Sequence, residues 1–461
     1  MKLTELFAGV PMRTQLGETE IHGLSADTRQ IAPNGLFFCI KGTIADGHDF
    51  AADALARGAA AIVCERELGL AKEILVEDTH AAFSLCCANW HGNPQRALRL
   101  VGVTGTNGKT TVTHLIRDAL SALGHKTGLI GTIETDVAGV HYPAKYTTPD
   151  PLTFYGLLAQ MRDADCEYVV MEASSHGLDQ RRVEGCRFAV SVFTNLTQDH
   201  LDYHGDMEHY YLAKRRLFEL SDAAVINLDD EYGRRLAGEC GCPVKTFSIR
   251  LDEADYTAKS IQMYADKTTF AFVGNGMIAR VSFPVPGEFS VSNAMAAIGA
   301  CLSLGCGLEE TAALMAQAKG VPGRFEVLRA DVPYTILRDY AHSPDAVQKI
   351  LEALRAVTKG RIVILLGCAG NRDRKKRRIM TEIAARLADF VILTSDNPRS
   401  EDPMQIIEDA KPGLLEHKTP YQIIPDRYDA IAWGLEHSKP GDTLLLAGKG
   451  HEDYQVLAHG T

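Results

Sequence analysis

The sequence predicts an α/β protein built from three successive domains. Apolar, strand-like runs recur along the chain, each ending at a polar or glycine-bearing turn, with helical stretches between them. One run, containing Leu98, Leu100, Val101 and Val103, leads into a glycine-rich turn and then a helix. A chain of 461 residues is also long enough for about three domains, each with its own core. Alternation of this kind argues for a mostly parallel sheet with ligands at the carboxyl ends of the strands.

The first segment, 1–96, offers a strand at 35–40, a helix at 50–58 and a strand at 59–64. His91, Gly92, Asn93, Pro94 and Gln95 form a breaker cluster that reads as a linker. The second segment, 97–325, opens on the glycine-rich turn. Its later strands end at Glu172, at Thr194 and Asn195, and at Asp229 and Asp230. Residues 287–305 read as a loop followed by a small-residue helix, and 321–324 as the next hinge. The third segment, 326–461, has strands at 361–366, 390–394 and 442–447. Each feeds a polar loop with glycine or proline, which places the loops on one rim as a candidate second-substrate site.

Composition narrows the function classes. Hydrophobic residues make up 46% and charged residues 23%, as in a soluble globular protein. A net charge of −11 disfavours a nucleic-acid partner. The basic run at 372–378 reads as a solvated helix start that could bind anions locally. Eleven scattered cysteines without a C-x-x-C pair indicate a reduced, cytoplasmic chain. No signal-peptide core and no run of eighteen apolar residues is present, so no membrane association is expected.

The turn at 105–111 carries the clearest chemistry. Gly105 and Gly108 let backbone N–H groups face phosphate oxygens, Lys109 can reach the β- and γ-phosphates, and the Thr110 hydroxyl can ligate Mg²⁺. Residues 110–123 form the helix behind it. The usual spacing puts glycine at 103, where this chain has Val103 with Gly102 one place early; the alternative is an ordinary surface turn. Glu172, at a strand end, reads either as a Mg²⁺ ligand or as a helix-capping acid. Asp199, His200, Asp202, His204 and His209 crowd one stretch, but the Gly205 break and the lack of a third well-spaced ligand weaken a zinc reading. Lys214 alone reads as a solvated helix lysine.

Four stretches in order, 102–111, 171–178, 193–207 with Ala213 and Lys214 downstream, and 339–346, resemble the Mur ligase family, and within it the MurE type. Asp27, Thr28 and Arg29 and the run 42–47 resemble its uridine-nucleotide elements, so the resemblance covers nearly the whole chain. It implies a small α/β uridine-nucleotide domain, a central P-loop ATPase domain and a Rossmann-like C-terminal domain, with hinges near Gln95 and Arg324. Gly105, Thr106, Asn107, Gly108, Lys109, Thr110 and Thr111 would hold ATP, lined by Asn293, Arg324, Asp339 and His342. Thr110 and Glu172 would hold one Mg²⁺ and His200 a second. Lys214 matches the family lysine that CO₂ carbamylates into an anionic metal ligand. Lys109, Glu172, His200 and Lys214 would then carry catalysis. Ala26, Thr28, Thr43, Ile44, Ala45, Thr147, Thr148, Ser174, Gln180 and Arg182 match positions that contact a UDP-N-acetylmuramoyl-dipeptide.

The added amino acid is implied by the loop Asp396, Asn397, Pro398 and Arg399. It resembles the loop of members adding meso-diaminopimelate, whose second carboxylate an arginine can clamp in bidentate fashion. Arg372, Gly448 and Glu452 match companion positions, and Glu452 could pair with the distal ammonium. The bland alternative for Arg399 is a surface arginine in a turn. Thr28 stands where serine is commoner, and Asn371 where aspartate is. The implied activity is ATP-dependent amide ligation through an acyl phosphate, by a monomer. Its rivals are the same ligase using L-lysine, a folate-type ligase and a nucleotide-binding regulator.

Overall fold

The structure is a computed structural model that describes residues 1–42, 45–458 and 460. Its secondary structure forms a small four-stranded sheet, a large mixed sheet and a six-stranded sheet. The chain divides into two compact units, one of residues 1–102, 125–189 and 220–222, the other of 103–124, 190–219 and 223–461.

In the first unit, Leu24–Ser25, Leu36–Phe38, Ala61–Cys64 and Glu73–Leu75 pair in parallel. Phe37, Ile62 and Ala54 belong to the core of this part. The helix at 50–58 is Ala51–Ala56, entered through a 3-10 turn at Gly47–Phe50. Further on, Thr127–Ile130 pairs in parallel with Tyr168–Glu172 and antiparallel with Glu134–Val137, which turns back into Val140–Pro143.

The strand Arg99–Thr104 delivers the glycine-rich turn, which lies in the second unit, and the helix Lys109–Ala122 leaves it. Val103 is fully buried inside that strand, so the residue that departs from the usual spacing is a core residue and Gly105 makes the turn. Beyond Val244–Ser248 comes an antiparallel arm that the sequence reading lacked: Tyr256–Met263, Thr268–Gly274 and Met277–Phe283. The helix anticipated in 287–305 is Glu288–Ser303.

The six-stranded sheet runs Glu326–Leu328, Thr335–Asp339, Thr443–Ala447, Ile362–Cys368, Phe390–Ser395, Tyr421–Ile423. Every pairing after the first is parallel. The carboxyl ends of five adjacent strands therefore open on one rim, as the alternation predicted. Leu351, Ile364, Leu366, Met380 and Leu393 belong to the core beneath it.

Candidate active site

Both turn glycines are required by close approach. Gly105 has φ +148°, and a Cβ there would collide with Thr194 Oγ1. Gly108 has φ +89° and caps the helix Lys109–Ala122; a Cβ there would lie 2.5 Å from Asn293 Oδ1. Asn195 Oδ1 accepts from Asn107 N at 2.9 Å, and Thr194 Oγ1 donates to Asn107 O at 2.6 Å. The turn is thus clamped from the 193–207 stretch. Thr106 Oγ1 meets the Tyr210 hydroxyl at 3.2 Å, while Thr111 lies half-buried in the first helical turn.

Lys109 Nζ folds back and donates to Gly105 O at 2.9 Å and Thr106 O at 3.0 Å. Lys214 Nζ donates to the same Gly105 O at 2.8 Å. Lys214 is 1% exposed, so it is not the solvated lysine that its pattern suggests in isolation. Burial, reinforced by the Lys109 charge and opposed by Asp199, holds its ammonium well below the usual lysine range. A neutral amine beside a cation is therefore favoured here.

Asp199 was one of several possible ligands in the sequence and turns out to be a hub. Its carboxylate lies 3.7 Å from His200 Nε2, 3.7 Å from His342 Nε2 and 3.3 Å from Lys376 Nζ. Burial alone would raise its pKa, but His200, Lys376 and His342 prevail and hold it well below the ordinary carboxylate range. His200 takes the left-handed conformation at φ +53° and caps the short helix Leu201–His204. His204 stacks on Tyr210 with ring centroids 5.0 Å apart. Among the described residues no group of three His, Cys, Asp or Glu side chains is arranged to hold a metal.

Later segments reach the same turn. Arg324 donates to Thr110 Oγ1 at 3.0 Å and lies over the Tyr340 ring at 4.5 Å. Its Nε is buried with no hydrogen-bond partner among the described residues. Asn107 Nδ2 donates to Asp345 Oδ2 at 2.9 Å, so this side chain is engaged by the protein itself. Asp339 accepts from Phe325 N and Ala341 N, both at 2.7 Å, while burial raises its pKa. Burial lowers the His342 pKa.

The rim gathers the third-segment candidates. Asp396, Asn397, Pro398 and Gly448 are buried, and Arg399 and Glu452 are half-buried. Arg399 sits in a turn with φ +55° and, half-buried, donates to Gly370 O at 2.7 Å. Burial, with the Arg372 charge added, lowers its pKa. Arg372 also approaches Asp202 at 3.5 Å. Asn371 has φ +51° and accepts from Ser400 N at 3.1 Å, a backbone conformation that asparagine tolerates well. Glu452 accepts from Lys449 at 3.1 Å, Asn397 at 3.2 Å and Tyr340 at 3.1 Å.

The 372–378 run corrects the sequence reading. Lys376 and Arg377 are buried rather than solvated, Lys376 on Asp199 and Arg377 on Glu401 and Asp409. Sequence patterning missed this because a charge run shows no periodicity that marks which members turn inward. Lys449, flanked by Gly448 and Gly450, was also passed over; a lysine between two glycines after an apolar strand was the available signal.

Other candidates lie in the first unit. Glu172 is fully buried and accepts from Thr132 N at 2.7 Å and Thr132 Oγ1 at 3.0 Å. It is no helix cap, since Ser174 caps the helix Ser175–Asp179. Thr148 Oγ1 donates to Glu172 O at 2.8 Å, and Thr147 meets Thr132 at 3.0 Å. Arg182 donates to Thr148 O at 2.5 Å and to Gln180 Oε1 at 2.7 Å. These side chains form one polar cluster. Elsewhere in the unit, Ala26 and Ala45 are exposed and Thr28 starts a 3-10 turn capped by Asp27. Thr43 and Ile44 lie outside the described residues.

Three family models match the chain: the Mur ligase middle domain at 103–301, the Mur ligase glutamate ligase domain at 323–450, and the Mur ligase family catalytic domain at 20–84. The chain is 44% identical to a UDP-N-acetylmuramoyl-L-alanyl-D-glutamate–2,6-diaminopimelate ligase of Geobacillus kaustophilus, over 96% of this chain and 92% of that protein. It is 42% identical to the enzyme of the same name from Geobacillus thermodenitrificans, over 99% and 96%. A solved structure of an enzyme of that name matches with TM-score 0.71 and 33% identity, covering 99% of this chain and 95% of the other.

Proposed function

The chain belongs to the Mur ligase family, and on that premise we propose that it is the ligase of peptidoglycan synthesis that joins 2,6-diaminopimelate to UDP-N-acetylmuramoyl-L-alanyl-D-glutamate. The observation that carries this reading is the pairing, within one compact unit, of a phosphate-type turn with a rim of arginines and carboxylates. The turn suits ATP, and the rim suits an amino acid with a second carboxylate. The nucleotide-binding regulator is the weaker reading, because it has no use for the rim.

ATP fits the residues present. The orphaned Arg324 Nε and the Lys109 ammonium, now satisfied by its own loop, are donors of the kind that polyphosphate requires. Gly105 to Thr111 cradle the phosphates, and Asn293, Asp339 and His342 shape the neighbouring wall. One Mg²⁺ suits the hard donors Thr110 and Glu172, and a second is assigned to His200. When bound, the metal spreads the negative charge of the transferring phosphoryl group. Lys214, held toward its neutral form, is suited to take up CO₂ as a carbamate, which would turn a cation into an oxygen ligand.

The reaction is a two-step ligation. A side-chain carboxylate oxygen of the D-glutamyl residue attacks the γ-phosphorus of ATP, ADP leaves and an acyl phosphate forms. Lys109 and Arg324 meet the charge on the transferring group. An amine of meso-diaminopimelate then attacks the acyl carbon, and phosphate leaves from the tetrahedral intermediate. Arg399, with Arg372, clamps the distal carboxylate, while Asp396, Asn397, Pro398, Gly448 and Glu452 frame the pocket. Ala26, Thr28, Thr43, Ile44, Ala45, Thr147, Thr148, Ser174, Gln180 and Arg182 are assigned to the UDP-linked substrate. The working division is a UDP-substrate domain at 1–96, an ATP domain at 97–325 and an amino-acid domain at 326–461, in a cytoplasmic monomer.

Phosphate release from ATP and Mg²⁺ with the UDP-linked dipeptide tests this, comparing meso-diaminopimelate with L-lysine. Release with diaminopimelate far above the residual release with lysine is expected. Equal or greater release with lysine would keep the ligase and overturn the assignment of the rim, and release with neither would overturn both.

A further inference from the structure

The rim holds a buried lysine for which the proposed function has no use. Lys449 lies between Gly448 and Gly450, just past the strand Thr443–Ala447, and is 7% exposed. Its Nζ donates to Asn397 Oδ1, donates to Glu452 Oε2 at 3.1 Å and lies 3.4 Å from Asp396 Oδ1. We propose that Lys449 is a positioning and charge-balancing residue of the amino-acid pocket, which sets the preference for an acid with a distal carboxylate over one ending in an ammonium. This rests on the ligase reading above.

Geometry makes the lysine a hub. It joins two segments, 396–397 and 449–452, by touching Asp396, Asn397 and Glu452 at once. Glu452 Oε2 is shared by Lys449 and Asn397 Nδ2, and Oε1 accepts from the Tyr340 hydroxyl. Both Glu452 oxygens are thus engaged by the protein, which fixes where this carboxylate points. Burial alone would raise the Glu452 pKa, yet Lys449 leads the interactions that lower it. The backbone is equally constrained: a Cβ on Gly448 would lie 2.7 Å from Asp396 Oδ2, and one on Gly450 2.8 Å from Tyr340 Cβ. The lysine has little room to swing away.

Charge gives this hub a second consequence. The carboxylates of buried Asp396 and half-buried Glu452 both act on Arg399 and on Arg427, which donates to Ala447 O at 2.8 Å. With Lys449 in place, cations outnumber carboxylates, and the pocket favours an incoming carboxylate. Without it, Asp396 and Glu452 lose their nearest cation and the balance moves toward binding an ammonium.

Kinetics of the full chain with four substrates, ATP, the UDP-linked dipeptide, meso-diaminopimelate and L-lysine, tests this in Lys449→Met and Lys449→Arg. Lys449→Met is expected to raise the KM for diaminopimelate about tenfold or more, the size of losing one buried charged partner. The KM values for ATP and the UDP-linked dipeptide should stay within about twofold. The preference for diaminopimelate over lysine should fall by a similar factor of about ten, and Lys449→Arg should recover part of it. Lys449→Gln carries the same expectation should the methionine variant not fold. An unchanged preference, or an equal rise of all KM values, overturns the inference alone. A wild type that uses neither amino acid overturns the ligase reading, and the inference with it.

Discussion

Lys109 and Lys214 donate to one and the same oxygen, the Gly105 carbonyl, at 2.9 and 2.8 Å. Two ammonium groups on one acceptor repel each other, and Lys214 is the buried member. Desolvation together with the Lys109 charge therefore drives Lys214 toward the neutral amine. Only a neutral amine can attack CO₂. The pairing thus suits the proposed carbamylation, which would make Lys214 an anionic ligand for Mg²⁺.

Lys214→Ala tests that role. Phosphate release should fall about a hundredfold or more, the usual size of losing one element of transition-state charge stabilisation. Added short carboxylates, such as formate or acetate, should restore part of it by occupying the space the side chain leaves. A variant that keeps full activity, or one that no carboxylate rescues, would sink the carbamate role.

How much of this was legible in the sequence depended on the kind of signal. The turn at 105–111 and the parallel strands around it were readable because glycine spacing and apolar runs have local causes. The Asn275-Gly276 hairpin was also written locally, with both residues at positive φ, and simply went unused. The matching turn at Ala138-Gly139 lacked such a mark, since alanine seldom adopts φ +51°. Asp199 with Lys376, and Asp396 with Lys449, lie 177 and 53 residues apart in the chain. Long-range partnerships of that kind leave no periodicity, so Lys376 was read as solvated although it is buried.

Arg399→Ala tests the amino-acid clamp. The KM for meso-diaminopimelate should rise about ten- to a hundredfold, the range for losing a charged partner of a buried carboxylate. Turnover with L-lysine, which has no distal carboxylate, should change little. Equal losses with both amino acids would mean that Arg399 holds the loop through Gly370 rather than the substrate.

Gly105→Ala tests whether the turn needs its glycine. The added methyl would meet Thr194 Oγ1 and the Asn195 backbone, at a φ of +148° that side chains rarely adopt. Thr194 is itself buried and tied to Asn107, so it cannot simply step aside. A stability loss of about 1–3 kcal/mol is expected in urea unfolding, with ATP binding weakened at least tenfold in calorimetry. Wild-type affinity in the variant would show that the turn can move without cost.

The acid side of the stability profile should depend on Asp442. Its carboxylate is buried; Oδ1 accepts from Arg361 N at 2.9 Å, and Oδ2 from Arg361 Nη2 at 2.6 Å and Lys439 N at 2.9 Å. Burial raises its pKa, but the Arg361 and Lys439 bonds outweigh it and leave it below the usual aspartate value of 3.8. A depressed folded-state pKa means that the unfolded chain takes up the proton first as pH falls. The contribution is therefore complete above the unfolded value and disappears as pH drops through the folded one. Asp442→Asn should destabilise the protein by about 1–3 kcal/mol near neutral pH, measured by urea unfolding. The gap to wild type should hold down to about pH 5 and then narrow as pH falls through and below 4. A gap that stays constant down to pH 3 would place the loss in packing rather than in the ionised Asp442–Arg361 pair.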